Sequence, residues 1–212
     1  MSEIRKLLYC VDNEWRQSAT DKYTPVMNPS TGEQIAVAPV CLPAEVDSAV
    51  QAAKAAYPGW SNTPVGMRTQ ILFRFRELVN QHFEELSVLL ATEMGKNLDE
   101  SRGDVHKVVE ACEVAVSAPM EMQGYAMMEA TRSHDICLYR ESVGVFLGIA
   151  PYNFPAMIPF GWFLPLCIAA GNTIVLKVAS MVPQTGMRLL ELLIEAGLPK
   201  GVVNLVTCSR QE

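Results

Sequence analysis

The sequence predicts an α/β fold: a Rossmann-like, doubly wound parallel sheet that follows an N-terminal β layer and several helices, with a β-hairpin protruding from it. Two observations support this prediction. From residue 144 to residue 206, short apolar runs of strand length alternate with segments of helical periodicity in the order β, α, β, α, β, which is typical of parallel sheets with helical crossovers. At 212 residues, half of them apolar, the chain is also long enough to bury a substantial core.

The first forty residues are expected to form the β layer, because extended runs there are separated by turn-forming residues. The predicted strands cover residues 8–15, 23–27 and 34–40. Asn28-Pro29-Ser30-Thr31-Gly32-Glu33 is the turn between the last two. Apolar periodicity then predicts four helices, at residues 46–57, 64–82, 84–94 and 98–120. Pro58-Gly59 is expected to end the first of these helices, and Gly95 the third.

The second half of the chain is expected to hold the hairpin and the parallel strands. Polarity alternates weakly on both sides of the turn-forming residues 131–135, which favours a β-hairpin between Gly124 and Glu141. Strands are then predicted at 144–150, 173–177 and 202–206, with helices at 156–170 and 185–196. The run 144–150 is apolar throughout, which is typical of a strand buried on both faces.

Composition excludes several classes of function. The net charge of −6 argues against a nucleic-acid partner, because binding phosphates requires clustered Lys and Arg. The first twelve residues show neither a long apolar run nor a cleavage site, so no secretory signal is predicted. Four prolines and Asn153 interrupt the apolar stretch 143–170, which argues against a membrane span. A small-molecule partner is therefore expected.

No metal site is predicted. The six cysteines form no CxxC pair, and their scatter indicates a reducing, cytoplasmic environment. The three histidines, His82, His106 and His134, are too dispersed for a metal site or a catalytic triad. The helix carboxylates, Glu93 and Asp104 among them, are expected to lie on charged helix faces, and paired-carboxylate catalysis is not indicated.

Asn153 is the clearest functional candidate from local chemistry. It follows a predicted apolar strand and precedes a predicted helix, and ligands of open α/β sheets bind at such strand ends. Its side-chain amide could donate a hydrogen bond to a developing oxyanion, which can contribute about 2.7–4 kcal/mol to transition-state stabilisation. The alternative is that Asn153 caps the following helix, as asparagine commonly does.

Several separated motifs resemble, in order and in spacing, the NAD(P)-dependent aldehyde dehydrogenase superfamily. These are Asn28-Pro29-Ser30-Thr31-Gly32-Glu33, Ala150-Pro151-Tyr152-Asn153-Phe154-Pro155, Gly171-Asn172-Thr173-Ile174-Val175-Leu176-Lys177 and Pro199-Lys200-Gly201-Val202-Val203-Asn204-Leu205-Val206. Two segments are most similar to the CoA-acylating methylmalonate-semialdehyde dehydrogenases. One is the sequence around Tyr152, where many relatives carry Trp, and the other is Ala118-Pro119-Met120-Glu121-Met122-Gln123-Gly124. The resemblance extends over essentially the whole chain.

The resemblance implies a chemistry and a set of site residues. In that family a cysteine thiolate attacks an aldehyde, a hydride passes to the nicotinamide of NAD, and water or CoA resolves the thioester. The asparagine matching Asn153 would hold the oxyanion. Ala150 and Tyr152 would line the cofactor cleft, and Lys177 would bind the adenosine ribose, whereas by local chemistry alone Lys177 could be a solvated strand end.

One departure from the family pattern concerns the ribose site. The family usually follows its lysine with Pro-Ser-Glu, and here Val178-Ala179-Ser180 stands in that place. Ser180 can still hydrogen-bond, but it lacks a carboxylate that would accept from the ribose hydroxyls and repel a 2′-phosphate. NAD is the expected cofactor, and the preference over NADP stays open.

The resemblance also implies a domain organisation. Residues 1–122 and 143–212 would form the amino-terminal part of a cofactor-binding domain, its sheet incomplete, and residues 123–142 an oligomerisation hairpin. None of the six cysteines lies in the sequence surroundings of the family's nucleophile, and the general-base glutamate and the catalytic domain are absent from the 212 residues. The chain is therefore expected to be inactive alone and to belong to a homo-oligomer. The alternative is a non-catalytic nucleotide-binding or oligomerisation module.

Overall fold

The computed structural model describes residues 4–209 and contains one mixed five-stranded sheet, two small two-stranded sheets and seven α-helices within that range. The strands are β1 Tyr9–Val11, β2 Glu14–Arg16, β3 Tyr23–Asn28, β4 Glu33–Pro39, β5 Tyr125–Thr131, β6 His134–Leu138, β7 Val145–Ile149, β8 Thr173–Lys177 and β9 Val203–Val206. The α-helices are α1 Pro43–Ser61, α2 Val65–Gln81, α3 Phe83–Met94, α4 Leu98–Ala115, α5 Ala118–Glu121, α6 Leu164–Ala169 and α7 Gln184–Glu195. A π-helix, Met157–Phe163, leads directly into α6.

The five-stranded sheet has the order β2-β1-β9-β8-β7, and its last three strands are parallel. Lys177 pairs with Ile149 on one side and with Val206 on the other, so the carboxyl ends of the three strands meet at one edge of the sheet. Helices connect these strands, as the alternating pattern of the sequence predicts. The predicted α/β class with a partial, Rossmann-like parallel sheet is confirmed.

The side of β9 that faces away from β8 is not an exposed edge of the sheet. Strand β1 pairs antiparallel with β9 at Cys10 and Leu205, so the N-terminal strands cover that edge. The edge strand on the parallel side is β7. The N-terminal β layer is therefore partly built into the main sheet, a long-range pairing that local sequence patterns do not contain.

The prediction that β7 is buried on both faces is wrong. Leu147 is 64 % exposed and Ile149 is 62 % exposed, whereas Gly148 on the opposite face is buried. A side chain at position 148 would place its Cβ 2.8 Å from Leu176 Cδ2 and 3.0 Å from Phe163 Cδ2. An apolar run therefore identified the strand correctly, but it carried no information about what covers each face.

Helices pack on both faces of the sheet. Helix α1 lies against one face, where Thr173 Oγ1 of β8 donates a hydrogen bond to the carbonyl of Ala53 at 2.9 Å. The π-helix, α6 and α7 pack on the other face with α2 and α4 behind them, and this side contains most of the core. Its largest fully buried side chains include Leu72, Phe75, Leu86, Leu90, Phe160, Leu164, Ile168, Ile174, Leu176, Leu189, Leu190 and Leu192.

Three predicted element boundaries were wrong. The predicted first strand is a hairpin, because Asp12 and Asn13 adopt positive φ angles of 57° and 61° and turn the chain between β1 and β2. Helix α1 continues through Pro58 to Ser61, and its Trp60 indole donates to the carbonyl of Ile168 at 3.1 Å, which ties this last turn to the core. Helix α4 ends at Ala115, shortly before a separate turn that contains Pro119.

The helix predicted at 156–170 also differs, because it begins as a π-helix. Pro159 and Pro165 each lack an amide hydrogen and so disturb the regular α-helical ladder. Single turns of π-helix occur frequently at functional sites. This one begins four residues after Asn153.

The predicted hairpin is formed by β5 and β6, and nearly all of its side chains are exposed. Asn172 holds the segment that leads from the hairpin back to the sheet, because its Oδ1 accepts from the amides of Val143 at 2.6 Å and Gly144 at 2.9 Å. The Tyr57 hydroxyl is 2.9 Å from Ser142 Oγ on the same segment. The base of the hairpin is therefore fixed, while its two strands project from the body.

Candidate functional site

The candidate site lies where β7 and β8 end. Ile149 pairs with Lys177 at the end of the two strands. One further hydrogen bond follows, from the amide of Ala150 to the carbonyl of Lys177 at 3.0 Å. The amide of Val178 bonds to the carbonyl of Val206 at 3.2 Å in the same way. The backbones that carry Ala150 and Lys177 are thus joined directly, as expected for neighbouring parallel strands.

A groove of about 660 Å³ runs along β7 and reaches the carboxyl ends of β7 and β8. It is mainly apolar, and it is lined by Val46, Val50, Val145, Phe146, Leu147, Ile149, Val175, Lys177, Val206, Cys208 and Ser209. Its volume falls within the range of small-molecule sites, which are typically apolar with a few polar groups. An ammonium at the edge of an apolar groove suits a ligand that combines a flat apolar ring with hydroxyl groups.

Lys177 is the one predicted site residue that lines this groove. Ala150 is buried beneath the start of the following turn, whereas Tyr152 and Asn153 are exposed on that turn. Ser180 lies three residues beyond Lys177 in the turn before α7, and it is half-buried. Lys177 thus ends β8 and the other four residues lie on the two loops that leave β7 and β8, but these four do not line the groove.

Asn153 does not cap the following helix. The π-helix begins after Ala156 without a side-chain cap of its own, and the amide of Met157 instead donates to Asp104 Oδ1 of α4 at 2.7 Å. Within residues 4–209 no hydrogen bond to the Asn153 side chain is present. The capping alternative was therefore wrong, and the exposed amide of Asn153 can donate to a ligand.

Two residues that sequence reasoning missed hold this turn in place. Asp104, expected on a charged helix face, is buried and forms an ion pair with Lys96 at 2.8 Å. The Lys96 ammonium also lies 3.8 Å from the centre of the Phe154 ring. A signal existed in the sequence, because Asp104 lies between Ser101 and Val105 on the buried stripe of α4.

Glu93 is likewise buried rather than on a charged face. Its carboxylate accepts from the amides of Gln184 at 2.9 Å and Thr185 at 2.7 Å, and from the Thr185 hydroxyl at 2.6 Å. It thereby satisfies the first amides of α7, the helix that follows the Ser180 turn. Burial raises the pKa of Glu93 to about 7, and the hydrogen bonds from Thr185 and Gln184 offset only part of that effect.

Four of the six cysteines are poor nucleophiles in this environment. Burial raises the pKa of the Cys10, Cys112 and Cys167 thiols to about 12 and that of Cys41 to about 11. A thiolate is the reactive form, so these four thiols are almost entirely unreactive near neutral pH. Cys137 is exposed on the hairpin.

Two classes of site are absent from the described residues. Between residues 4 and 209, no group of three or more His, Cys, Asp and Glu side chains is arranged to hold a metal ion. None of the helices in this range combines the length and the apolar character that crossing a bilayer requires.

Over almost its whole length the chain is similar to known proteins. The chain is 44% identical over 206 residues to a malonate-semialdehyde dehydrogenase of Listeria monocytogenes serotype 4a, an alignment that covers 97% of this chain and 42% of the relative. The chain thus spans less than half the length of this curated relative.

Solved structures give the same result. A Sinorhizobium meliloti 1021 protein, assigned as a methylmalonate-semialdehyde dehydrogenase and complexed with NAD, superposes with a TM-score of 0.95 at 33% identity, covering 99% of this chain and 43% of that one. The methylmalonate-semialdehyde dehydrogenase DddC of Oceanimonas doudoroffii gives a TM-score of 0.94 at 32% identity, covering 98% and 42%. The profile of the aldehyde dehydrogenase family matches residues 15–212. The chain therefore belongs to the aldehyde dehydrogenase family.

Proposed function

We propose that this chain is the amino-terminal, cofactor-binding portion of an NAD-dependent dehydrogenase that oxidises methylmalonate semialdehyde or the closely related malonate semialdehyde in the cytoplasm. The observation that carries the proposal is the groove at the ends of β7 and β8, with Lys177 at its edge. The names of the similar proteins support the substrate class, and the NAD complex of one of them supports the cofactor.

The groove fits the adenosine half of NAD. Its apolar walls, such as Val46 and Ile149, suit the faces of an adenine ring, and the Lys177 ammonium would donate to a ribose hydroxyl. The turn with Ser180 follows β8 and offers a hydroxyl in place of the family's usual carboxylate. When bound, NAD supplies the hydride acceptor.

Asn153 would act on the substrate rather than on the cofactor. Its exposed amide would donate a hydrogen bond to the oxygen that becomes negative when a nucleophile adds to the aldehyde. Such a donor contributes most when it is already in place before charge develops. CoA is the proposed acyl acceptor, in line with the resemblance to the acylating branch.

The proposal is tested by the affinity of the chain for NAD, measured by isothermal titration calorimetry. Lys177→Met should weaken binding about tenfold or more, because a charge-assisted hydrogen bond contributes about 1.5–3 kcal/mol. The matched control is Lys200→Met, since Lys200 lies outside the groove beside Glu14. Equal affinities of the two variants would refute the assignment of Lys177.

The exposed hairpin supports a second candidate, a non-catalytic module that joins copies of the chain. Tyr125, Met127 and Ile136 are all more than half exposed on it, and exposed apolar residues concentrated in one element are typical of interaction sites. Residues 123–142 would then form the contact between subunits of a homo-oligomer. Light scattering tests this candidate: Ile136→Lys should reduce the measured mass to that of one chain, and an unchanged mass would reject the hairpin as the contact.

A further inference from the structure

We propose that Lys96 and Asp104 form a buried positioning pair that places the turn of Asn153, so that the Asn153 amide is held ready to donate. The proposal rests on the oxyanion role proposed above for Asn153. Neither residue would touch the substrate. Each acts through a residue on the same turn, Lys96 through Phe154 and Asp104 through Met157.

The pair is buried between two helical elements. Lys96 follows α3 and Asp104 belongs to α4, and their charged groups are 2.8 Å apart. The Asp104 side chain is fully buried and that of Lys96 is 12 % exposed. A buried ion pair contributes little to net stability, because removing both charges from water opposes their attraction. Its presence here is better explained by the geometry that it imposes.

Asp104 fixes the far end of the turn. One carboxylate oxygen, Oδ2, accepts from Lys96, and the other, Oδ1, accepts from the amide of Met157 at 2.7 Å. Met157 is the first residue of the π-helix, so the carboxylate also lies at the amino end of a helix, where negative charge is favourable. An apolar side chain at position 104 could fill the space but could not accept this bond.

Lys96 fixes the residue next to Asn153. Its ammonium lies 3.8 Å from the centre of the Phe154 ring, a distance at which a cation is attracted to the face of the ring. The ring is half-buried, so this attraction is stronger than at a fully exposed site. Phe154 and Met157 are thus both held by one ion pair.

The Asn153 side chain depends on this support. The near end of the turn is fixed by the bond from the Ala150 amide to the Lys177 carbonyl, and the far end by Asp104. Between them Asn153 is exposed, and among the described residues no partner orients its amide. Its position is therefore set by the backbone that the pair holds.

The test is amide hydrogen exchange, followed by NMR on the ¹⁵N-labelled 212-residue chain. Asp104→Ala should accelerate exchange of the Met157 amide at least tenfold relative to amides of the central strand β8, and should shift the side-chain NH₂ signals of Asn153. Asp104→Asn, which keeps an oxygen acceptor, should restore part of the protection of Met157. Lys96→Met should shift the Asn153 signals while Met157 stays protected.

The matched control is Ser101→Ala on the same buried stripe of α4. Ser101 donates to the carbonyl of Asn97 within its own helix and does not contact the turn, so this variant should leave the Asn153 signals unchanged. The proposal is overturned if Asp104→Ala leaves Met157 as protected as before. It is also overturned if Met157 and β8 lose protection equally, which is the result that a merely structural role predicts.

The failure of this inference can be distinguished from the failure of the proposed function. Asp104→Ala should still bind NAD, because Lys177 and the apolar walls of the groove, which would hold the adenosine half, lie outside the segment that the pair holds. If the unaltered chain fails to bind NAD, the proposed function falls, while the exchange pattern still decides whether the pair positions the turn.

Discussion

Buried charged side chains in this protein bind the backbone ends of helices. The Arg68 guanidinium donates to the carbonyl of Ala169 at the end of α6 and to the carbonyls of Ser61 and Thr63 at the end of α1. Glu93 accepts from the first amides of α7 in the same manner. Helix ends leave such groups without partners inside the helix, so each buried charge compensates for several unsatisfied groups.

Glu93 predicts a specific dependence of stability on pH. Its pKa is raised from 4.5 to about 7 in the folded chain, so between these values the folded state binds more protons than the unfolded state. The free energy of unfolding should therefore fall as pH rises through this window, and this contribution should be constant above it. The total change due to Glu93 is up to about 3 kcal/mol.

Glu93→Gln removes this titration and provides the measurement. Urea unfolding at pH 5 and pH 7.5 should show a smaller decrease in stability for the variant than for the unaltered chain, because the other titrating groups are common to both. The exposed Glu77→Gln serves as the control. Identical pH dependence in all three proteins would show that Glu93 titrates normally.

Single elements could be predicted from sequence where their signals are local. The glycine after α3 adopts the left-handed conformation expected of a helix end, with Gly95 at φ 83°. The hairpin turn was visible in residues 131–135, and Ser133 there has φ 66°. Helix α1, by contrast, continues through Pro58 because tertiary contacts of Trp60 stabilise its last turn, and a local rule does not include such contacts.

Among the candidate site residues, too, those with a local sequence signal could be predicted and those that depend on tertiary contacts could not. Lys177 was identifiable because it ends a predicted buried strand, and the structure places it at the groove. Asp104 and Lys96 were not identified, because they are eight residues apart and act on a turn some fifty residues later. Only the folded chain brings these three segments together.

At the element scale, Gly148 predicts how β7 packs against the π-helix. Gly148→Val should lower the free energy of unfolding by about 1–3 kcal/mol, because an added side chain would overlap Leu176 and Phe163 in a filled core. Leu147→Val on the exposed face of the same strand is the matched control. Equal urea midpoints for the two variants would contradict the close approach at Gly148.

The whole molecule has a groove of small-molecule size, and burial raises the pKa of four of its thiols, those of Cys10, Cys41, Cys112 and Cys167. The 212-residue chain should therefore produce no NADH when it is incubated with NAD, CoA and malonate or methylmalonate semialdehyde, as followed by absorbance at the wavelength specific to NADH. A longer relative such as the Listeria enzyme provides the positive control under the same conditions. Turnover by the chain alone would contradict the proposal that it lacks a nucleophile.

The large-scale arrangement leaves β7 as the open edge of the parallel strands, with Leu147 and Ile149 exposed beside the groove. In doubly wound sheets, ligands bind outside the carboxyl ends of the strands, near the point where the strand order reverses. The described strands contain no such reversal, since β7, β8 and β9 follow one another across the sheet, but the groove does reach the carboxyl ends of β7 and β8. This agreement between strand ends, groove and Lys177 is the central claim about the molecule.

That claim is tested most directly by titrating the ¹⁵N-labelled chain with NAD and following the backbone amide signals. The largest shifts should occur at Ile149, Ala150, Lys177 and Val178, around the ends of β7 and β8, and they should be absent from the hairpin strands β5 and β6. Shifts confined to another surface, or unaffected by Lys177→Met, would contradict the assignment of the cofactor site.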